Sequence, residues 1–192
     1  MKKGYSLIEA MVVLFIVGLF LSVSIPALSN YYIKRTSLEK SLRDIVSVLR
    51  STRQEAITRN CYVGVLFKLN NDLSLGYRIY KDGNGNGIRK KEIEKKTDIP
   101  LTGWRRIKFS EHIKPGILSK NIREPETNKK IESPEDPIKF GSSNICSFSP
   151  LGASSPGSVY FTDRVKLQGV VRVYPTSGKI RILYYKNGRW VE

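Results

Sequence analysis

A run of 24 residues without a charged side chain, residues 10–33, constrains this chain more than any other feature of its sequence. About 20 apolar residues in helical form cross the hydrocarbon core of a bilayer, so the run is long enough for a membrane helix. It has no clear small-residue cleavage site at its end, unlike a secretory signal. Basic flanks remain cytoplasmic, so Lys2 and Lys3 predict that the rest of the chain faces outward.

Glu9 precedes the uncharged run and is out of place in a membrane helix. A carboxylate near the start of such a helix costs less than the roughly 2.5–3.5 kcal/mol of a charge at mid-membrane, but it still favours a partner. Two interpretations are open. Either the helix dipole and the headgroups stabilise Glu9 in the first turn, or Glu9 pairs with a basic group.

Residues 4–9, Gly-Tyr-Ser-Leu-Ile-Glu, followed by the apolar run, resemble the prepilin cleavage and methylation motif of type IV pilins and type II secretion pseudopilins. The resemblance implies that a prepilin peptidase cuts after Gly4 and methylates Tyr5, where Phe is the commoner residue. It also implies that Glu9 pairs with the N-terminal amine of a neighbouring subunit during assembly. Such a pair neutralises two buried charges at once.

This resemblance divides the chain into three parts. Residues 1–4 are a leader that is removed, residues 5–33 are the transmembrane half of an N-terminal helix, and residues 34–192 are a periplasmic α+β pilin-like domain. Pro26 cannot donate a hydrogen bond to the carbonyl of Ser22, so a bend of the helix is predicted there. The expected location is the bacterial inner membrane, as a single-pass protein, and then a pilus or pseudopilus.

The remainder of the chain shows helical and then strand periodicity. Apolar residues recur on one side of a helix that continues to about Arg59. They are Leu38, Leu42, Ile45, Leu49, Ala56 and Ile57. Strand-like runs follow at 62–69, 73–79, 159–161, 168–174 and 179–185, with hairpin turns at 70–72 and 177–178.

These elements predict an α+β fold, in which a long N-terminal membrane-spanning helix packs on an antiparallel β-sheet domain. Residues 119–137 are polar and contain three prolines, so they are predicted to form an exposed loop.

Three later segments narrow the resemblance to the GspH/FimT family of minor pseudopilins and pilins. They are residues 50–60 at the end of the helix, residues 148–152 (Phe-Ser-Pro-Leu-Gly) and residues 178–181 (Gly-Lys-Ile-Arg). The resemblance implies a structural subunit that caps or initiates a filament. An enzyme is not expected, because His112 is the only histidine and the chain has no Gly-x-Ser-x-Gly elbow.

Residues 82–87, Asp-Gly-Asn-Gly-Asn-Gly, resemble the first half of an EF-hand loop, which has oxygen ligands at alternate positions and Gly at the sixth. The ligands predicted for calcium are Asp82, Asn84, Asn86 and, through its carbonyl, Ile88. The twelfth position is Ile93 and not the usual bidentate Glu, so the predicted calcium site is weak. The alternative is a hairpin turn whose glycines adopt positive φ.

The formal net charge is +16, which predicts a polyanionic partner or else a solvated surface that keeps the domain soluble. Some proteins that resemble this family take up DNA through a Gly-Arg-x-Arg hairpin near the C-terminus. Here Lys179 replaces the first Arg, which keeps the charge but loses the forked donor geometry. The predicted DNA-binding residues are Lys179, Arg181, Arg172 and Arg189, with Tyr184 and Tyr185 as stacking faces.

The two cysteines, Cys61 and Cys146, are too few for a disulfide scaffold and lack zinc spacing. They are predicted to form one bridge in an oxidising periplasm. In a reducing compartment they would be two small core residues.

The sequence therefore predicts a minor pilin-like structural subunit of a type II secretion pseudopilus or a type IV pilus. The alternative is a DNA-binding minor pilin for DNA uptake, and a third hypothesis is a membrane-tethered module that never enters a filament. Calcium is the one cofactor that the sequence suggests. The expected partners are the prepilin peptidase, other pilin or pseudopilin subunits and the inner membrane, and DNA under the alternative.

Overall fold

The computed structural model describes residues 6–118, 121–127, 129–131 and 135–192, and for residues 23–28 it describes the backbone alone. The chain divides into two units, Met1–Thr36 and Ser37–Glu192. Helix α1, Leu7–Thr58, contributes residues to both.

In the first unit, the described residues from Leu7 onwards belong to α1, and the large apolar side chains described there, which exclude residues 23–28, are exposed. These side chains include Leu7, Ile8, Met11, Leu14, Phe15, Leu19 and Phe20. Within the part of the chain that the structure describes, no helix has the length and hydropathy that a membrane crossing needs. Helix α1 continues through Pro26, and the predicted bend there stays a prediction.

In the second unit, the later part of α1 buries one side against the sheets, as the periodicity predicts. The buried positions are Leu38, Leu42, Ile45, Val46, Leu49 and Ala56. Ile57 was also predicted on this side, and this is wrong, because its side chain is 40% exposed. Ile57 lies in the last turn of α1, where only Ala56 of the four residues 55–58 is buried, so the sheets cover little of the helix there.

The first sheet has five antiparallel strands. Four of them follow the order β3-β2-β1-β7, and the fifth, β4, pairs with β2 as β3 does. Its strands are β1 Val63–Leu69, β2 Leu75–Lys81, β3 Ile99–Pro100, β4 Arg105–Ile107 and β7 Ile145–Phe148. The predicted turn at 70–72 joins β1 to β2, where the Asp72 carboxylate accepts hydrogen bonds from the Ser74 backbone N–H at 3.0 Å and from its hydroxyl at 2.6 Å. A short helix α2, Lys90–Glu94, lies between β2 and β3.

The second sheet has six antiparallel strands in the order β11-β10-β9-β8-β5, and β6 also pairs with β8. Its strands are β5 Lys114–Pro115, β6 Ile138–Lys139, β8 Gly157–Thr162, β9 Gln168–Val173, β10 Ile180–Lys186 and β11 Arg189–Val191. The three central strands coincide with the runs predicted from alternation.

One core joins the later part of α1 to both sheets. Val65 and Phe67 of the first sheet and Val159, Phe161 and Val171 of the second are buried in the same cluster as the helix residues. The helix packs closely against β9 at Gly169, where an added Cβ would lie 2.7 Å from a methyl carbon of Leu42. A side chain at this position would therefore push α1 away from the sheet.

The prediction of an exposed loop over residues 119–137 is wrong for part of this segment. Ile122 and Ile131 are buried together with Tyr160, Val170 and Leu183 on the side of the second sheet away from the main core. The two isoleucines are single apolar residues among polar ones, without periodicity, so local sequence did not reveal their burial.

Candidate functional site

The predicted cleavage and methylation positions, Gly4 and Tyr5, lie outside the described residues, so their roles stay predictions. Glu9 lies in the first turn of α1, where its backbone N–H donates to the carbonyl of Ser6 at 3.0 Å. A carboxylate at this place interacts favourably with the helix dipole. Its side chain is exposed in the single chain, so it is equally open to pairing with a neighbouring subunit.

Among the predicted DNA-binding residues, Arg172 and Arg181 come together. Arg172 on β9 and Arg181 on β10 are directly opposite each other in the antiparallel pair, so their side chains share one face of the second sheet. Lys179 is two residues before Arg181, at the end of the same hairpin. Lys179 and Arg181 line a cavity of about 510 Å³ together with Glu126, Tyr174, Pro175 and Ser177, with Arg172 beside it.

Acidic side chains accompany both guanidinium groups. Arg172 lies 3.2 Å from a carboxylate oxygen of Glu126, and Arg181 lies 3.1 Å from one of Glu192. Arg181 also lies over the ring of Tyr174, with the guanidinium carbon 5.8 Å from the ring centre. Burial, reinforced by the negative charge of Glu126, raises the pKa of Tyr174. Tyr174 was not predicted, although its spacing of two residues from Arg172 places it on the same strand face.

The turn that presents Lys179 is held by a side chain from α1. Arg53 donates to the carbonyl of Gly152 at 3.0 Å and to the carbonyl of Ser177 at 3.2 Å. Gly178 has φ of +60° and packs against Gly152, because an added Cβ would lie 2.0 Å from the Gly152 carbonyl oxygen. The three segments that carry the narrower family resemblance therefore meet at one junction around Arg53.

The prediction that Arg189 extends this basic surface is wrong. Arg189 pairs with Lys186 at the far end of β10, and its neighbour Trp190 lies opposite Tyr185. Side chains alternate between the two faces of a sheet, so Tyr185 and Trp190 lie on the same face as Arg181. Arg189 therefore points to the opposite face. The suggested stacking residues are also engaged elsewhere, since Tyr184 packs against the main core and Tyr185 against the smaller cluster around Tyr160.

The predicted calcium loop is folded around its first residue. The buried carboxylate of Asp82 accepts hydrogen bonds from the backbone N–H groups of Asn84 at 2.8 Å, Gly85 at 3.0 Å and Gly87 at 2.6 Å. Gly85 and Gly87 both have positive φ, as the turn interpretation requires. The Ile88 side chain is buried with Tyr80 and Ile145, which anchors the loop to the first sheet.

Two further carboxylates, not among the predicted ligands, lie near this loop. Glu92 accepts hydrogen bonds from the side-chain amides of Asn84 at 3.2 Å and Asn86 at 2.8 Å, and these bonds lower its pKa. Burial raises the pKa of Asp98, and the charges of Asp82 and Glu92 add to this effect.

These carboxylates influence one another electrostatically, yet the described residues contain no group of three or more His, Cys, Asp or Glu side chains arranged to hold a metal ion. The amides of Asn84 and Asn86 present their N–H groups to Glu92 in this arrangement, and a calcium ion would require their oxygens instead. Calcium binding therefore stays a prediction.

The two cysteines are free thiols, so the predicted bridge is not formed in this structure. Cys146 lies opposite Val65 in the pair of β1 and β7. Cys61 is four residues before Val65 in the chain, so the two cysteines are separated along the strands. The buried Cys146 thiol is 4.0 Å from the carbonyl oxygen of Ser155, and burial raises its pKa. Both cysteines are small core residues, with Cys61 packed at the edge of the main cluster.

Comparisons with known proteins agree on one kind of protein. Residues 1–25 match the prokaryotic N-terminal methylation motif, and residues 41–177 match the family described as type II transport protein GspH. The pilin-like protein PilA1 of Thermus thermophilus is 32% identical over 85 residues, which are 44% of this chain and 51% of that protein. The chain thus spans about half the length of this curated relative.

A solved structure of the type IV minor pilin FimU of Pseudomonas aeruginosa is similar with a TM-score of 0.44 and 11% identity, over 84% of this chain and 97% of that one. The match to the GspH family covers well over half of the chain, and the methylation motif precedes it in the expected order. The chain therefore belongs to the type II transport protein GspH family, and it is a type IV pilin-like protein with an N-terminal methylation motif.

Proposed function

We propose that this chain is a structural subunit of a type II secretion pseudopilus or a type IV pilus, processed by a prepilin peptidase and assembled with other pilin-like subunits. The observation that carries the proposal is the order of its parts: a methylation motif over residues 1–25, followed by a GspH region over residues 41–177. Its working parts are the cleavage point between Gly4 and Tyr5, Glu9 and the apolar part of α1.

Residues 5–33 are the proposed membrane anchor. After Glu9 the sequence is uncharged as far as Ile33, and many of its large apolar side chains are exposed in the single chain. Exposed apolar side chains of this kind favour contact with lipid or with the helices of neighbouring subunits. In this proposal the acyl chains cover them first, and neighbouring subunits cover them in the filament.

Processing of the leader tests this function. When the full-length chain is produced together with a prepilin peptidase, mass spectrometry should show a protein that begins with N-methylated Tyr5. A Gly4→Val variant should retain residues 1–4, because the β-branched side chain replaces the glycine that the motif supplies at the cut. An intact Met1 in the parent protein, or a cut near Ser24, would contradict the proposal.

A second candidate function is the binding of DNA, and it is favoured by the basic cluster at the hairpin between β9 and β10. Lys179, Arg181 and Arg172 bring three positive charges to one end of the second sheet. Neutralisation of phosphates by Lys and Arg is sufficient for binding without sequence preference, and such binding weakens steeply with salt.

A charge-matched pair of double variants tests DNA binding at this hairpin. Lys179→Ala/Arg181→Ala should bind duplex DNA about tenfold more weakly than the parent at low salt, because two phosphate contacts are lost. Lys186→Ala/Arg189→Ala removes the same charge from the far end of β10. It should change the affinity less than about threefold, because salt screens charges that lie far from the bound DNA. Gel-shift titrations of the full-length chain in an uncharged detergent, at two salt concentrations, measure both.

Two results would contradict DNA binding at this hairpin. Equal weakening in both double variants would show that net charge matters and the hairpin is not the binding site. Failure of the parent to bind at low salt would remove this candidate function, and the secretion pseudopilus would then be favoured over DNA uptake.

A further inference from the structure

Arg172 and Arg181 form an arrangement that is unfavourable without an anion. Like charges directly opposite each other in an antiparallel pair destabilise it, and here two guanidinium groups occupy such positions. Each also has a buried Nε–H that finds no acceptor among the described residues. Buried donors without partners are costly, so the pair is better suited to a ligand with several acceptor oxygens than to the partners it has.

The carboxylates now beside the pair reach it from separate parts of the chain. Glu126 belongs to the segment between β5 and β6, and Glu192 follows β11. Their side chains are 40% and 62% exposed, whereas that of Arg172 is only 14% exposed. Arg172 is therefore held against the sheet, and Glu126 contacts Arg172 and Glu192 contacts Arg181 from the solvent side. Ion pairs with such exposed partners are weak, so the acids are easily displaced.

We propose that Glu126 and Glu192 occupy the positions of ligand phosphates at the Arg172–Arg181 pair and compete with the DNA backbone for it. This inference rests on the second proposed function, the binding of DNA at the same hairpin. Each phosphodiester carries one negative charge and acceptor oxygens that match the forked donors of a guanidinium group. The ring of Tyr174 lies under the Arg181 guanidinium, 5.8 Å from its carbon, and helps to hold this donor in place.

The competition makes the surface selective for densely charged polyanions. A single anion would displace one carboxylate and gain no net charge neutralisation. A duplex presents many phosphates in a row, so it displaces both acids and still reaches Lys179 at the rim of the cavity.

The inference predicts that removal of an acid strengthens binding. Glu126→Gln keeps the size of the side chain and removes its charge. In the full-length chain in an uncharged detergent, this variant should bind a duplex of about 30 base pairs about fivefold more tightly at low salt, and the slope of log K against log salt should steepen by about 0.9. Glu192→Gln should act in the same direction, and the double variant should exceed both.

Glu55→Gln is the matched control, because it changes the net charge equally and frees Arg59 from an ion pair at the exposed end of α1. Its affinity for the duplex should stay within about twofold of the parent, as expected for a charge outside the site. Fluorescence anisotropy supplies the affinities, and thermal unfolding of each variant shows that it is folded.

The possible results are distinct. If Glu126→Gln and Glu192→Gln tighten binding no more than Glu55→Gln while the hairpin double variant still loses it, DNA binding stands and the competition is refuted. If neither the parent nor Glu126→Gln/Glu192→Gln binds the duplex at low salt, both the DNA-binding function and the competition are refuted.

Discussion

Replacement of Glu9 by Ala should leave the subunit membrane-inserted and cleaved but reduce its incorporation into a filament by about a hundredfold or more. Glu9 lies in the first turn of α1 with an exposed side chain, so the fold of the unit Ser37–Glu192 does not depend on it. In the proposed assembly its carboxylate pairs with the N-terminal amine of a neighbouring subunit in an apolar environment. Removal of one partner from a buried ion pair costs about 3–5 kcal/mol, which exceeds a hundredfold in an equilibrium constant.

Incorporation is measured by the fraction of the subunit recovered in sheared filaments, and processing by mass spectrometry of the membrane fraction. Glu111→Ala serves as the control, since it removes an exposed acidic side chain from the loop before β5. Glu9→Gln separates charge from size and should behave like Glu9→Ala. Normal recovery of Glu9→Ala in filaments would show that the pairing with the amine is unnecessary, and loss of cleavage would show that Glu9 acts earlier, in recognition by the peptidase.

The later part of α1 and the long strands β1, β2, β8, β9 and β10 could be predicted from local pattern, whereas α2 and the short strands were not predicted. The positions Leu38, Leu42, Ile45 and Leu49 repeat at helical spacing, and all four are buried. Strands β8 and β9 are buried at nearly every residue, so their apolar runs were the signal. Ile122 and Ile131 could not be predicted, since the burial of a lone apolar residue depends on which distant strand passes beneath it.

The basic site was only partly predictable, because the register of the strands decides which residues belong to it. Arg172 and Arg181 share a face through a pairing that joins residues in neighbouring strands. For Arg189 the deciding feature is the turn at Asn187–Gly188, where φ is +49° and +80°. This Asn-Gly pair is a strong hairpin signal, and it would have predicted β11. It would not have fixed the face, because a shift of one residue moves every side chain to the other side.

The residues that contact Arg172 and Arg53 could not be predicted from the sequence. Glu126 is 46 residues before Arg172 in sequence, in a polar segment without a helical or strand pattern. Arg53 and Gly152 are 99 residues apart, and the hydrogen bond between them joins α1 to a loop between two strands. Such contacts follow from the assembled tertiary structure and leave no periodic trace in the sequence.

The junction around Arg53 predicts the largest loss of stability from a small change. Gly178→Ala should destabilise the unit Ser37–Glu192 by about 3 kcal/mol and lower its Tm by about 10 °C. The residue has φ of +60°, which costs an L-residue roughly 1–2 kcal/mol. The added Cβ would also lie 2.0 Å from the carbonyl oxygen of Gly152 and 2.9 Å from Nε of Arg53. Relief of this overlap requires the hairpin to move away from the loop that Arg53 holds.

Gly188→Ala isolates the backbone contribution, because Gly188 has φ of +80° in the next hairpin and an added Cβ there meets nothing within 4 Å. Gly188→Ala should lower the free energy of unfolding by only about 1–2 kcal/mol. Thermal unfolding of the full-length variants, followed by the β-sheet signal in circular dichroism, measures both. Equal Tm values for the two variants would show that the contact between Gly178 and Gly152 is not tight. A larger loss for Gly178→Ala would show that the loop after β7, the hairpin before β10 and the end of α1 are stabilised as one unit, since the added methyl group separates all three at Arg53.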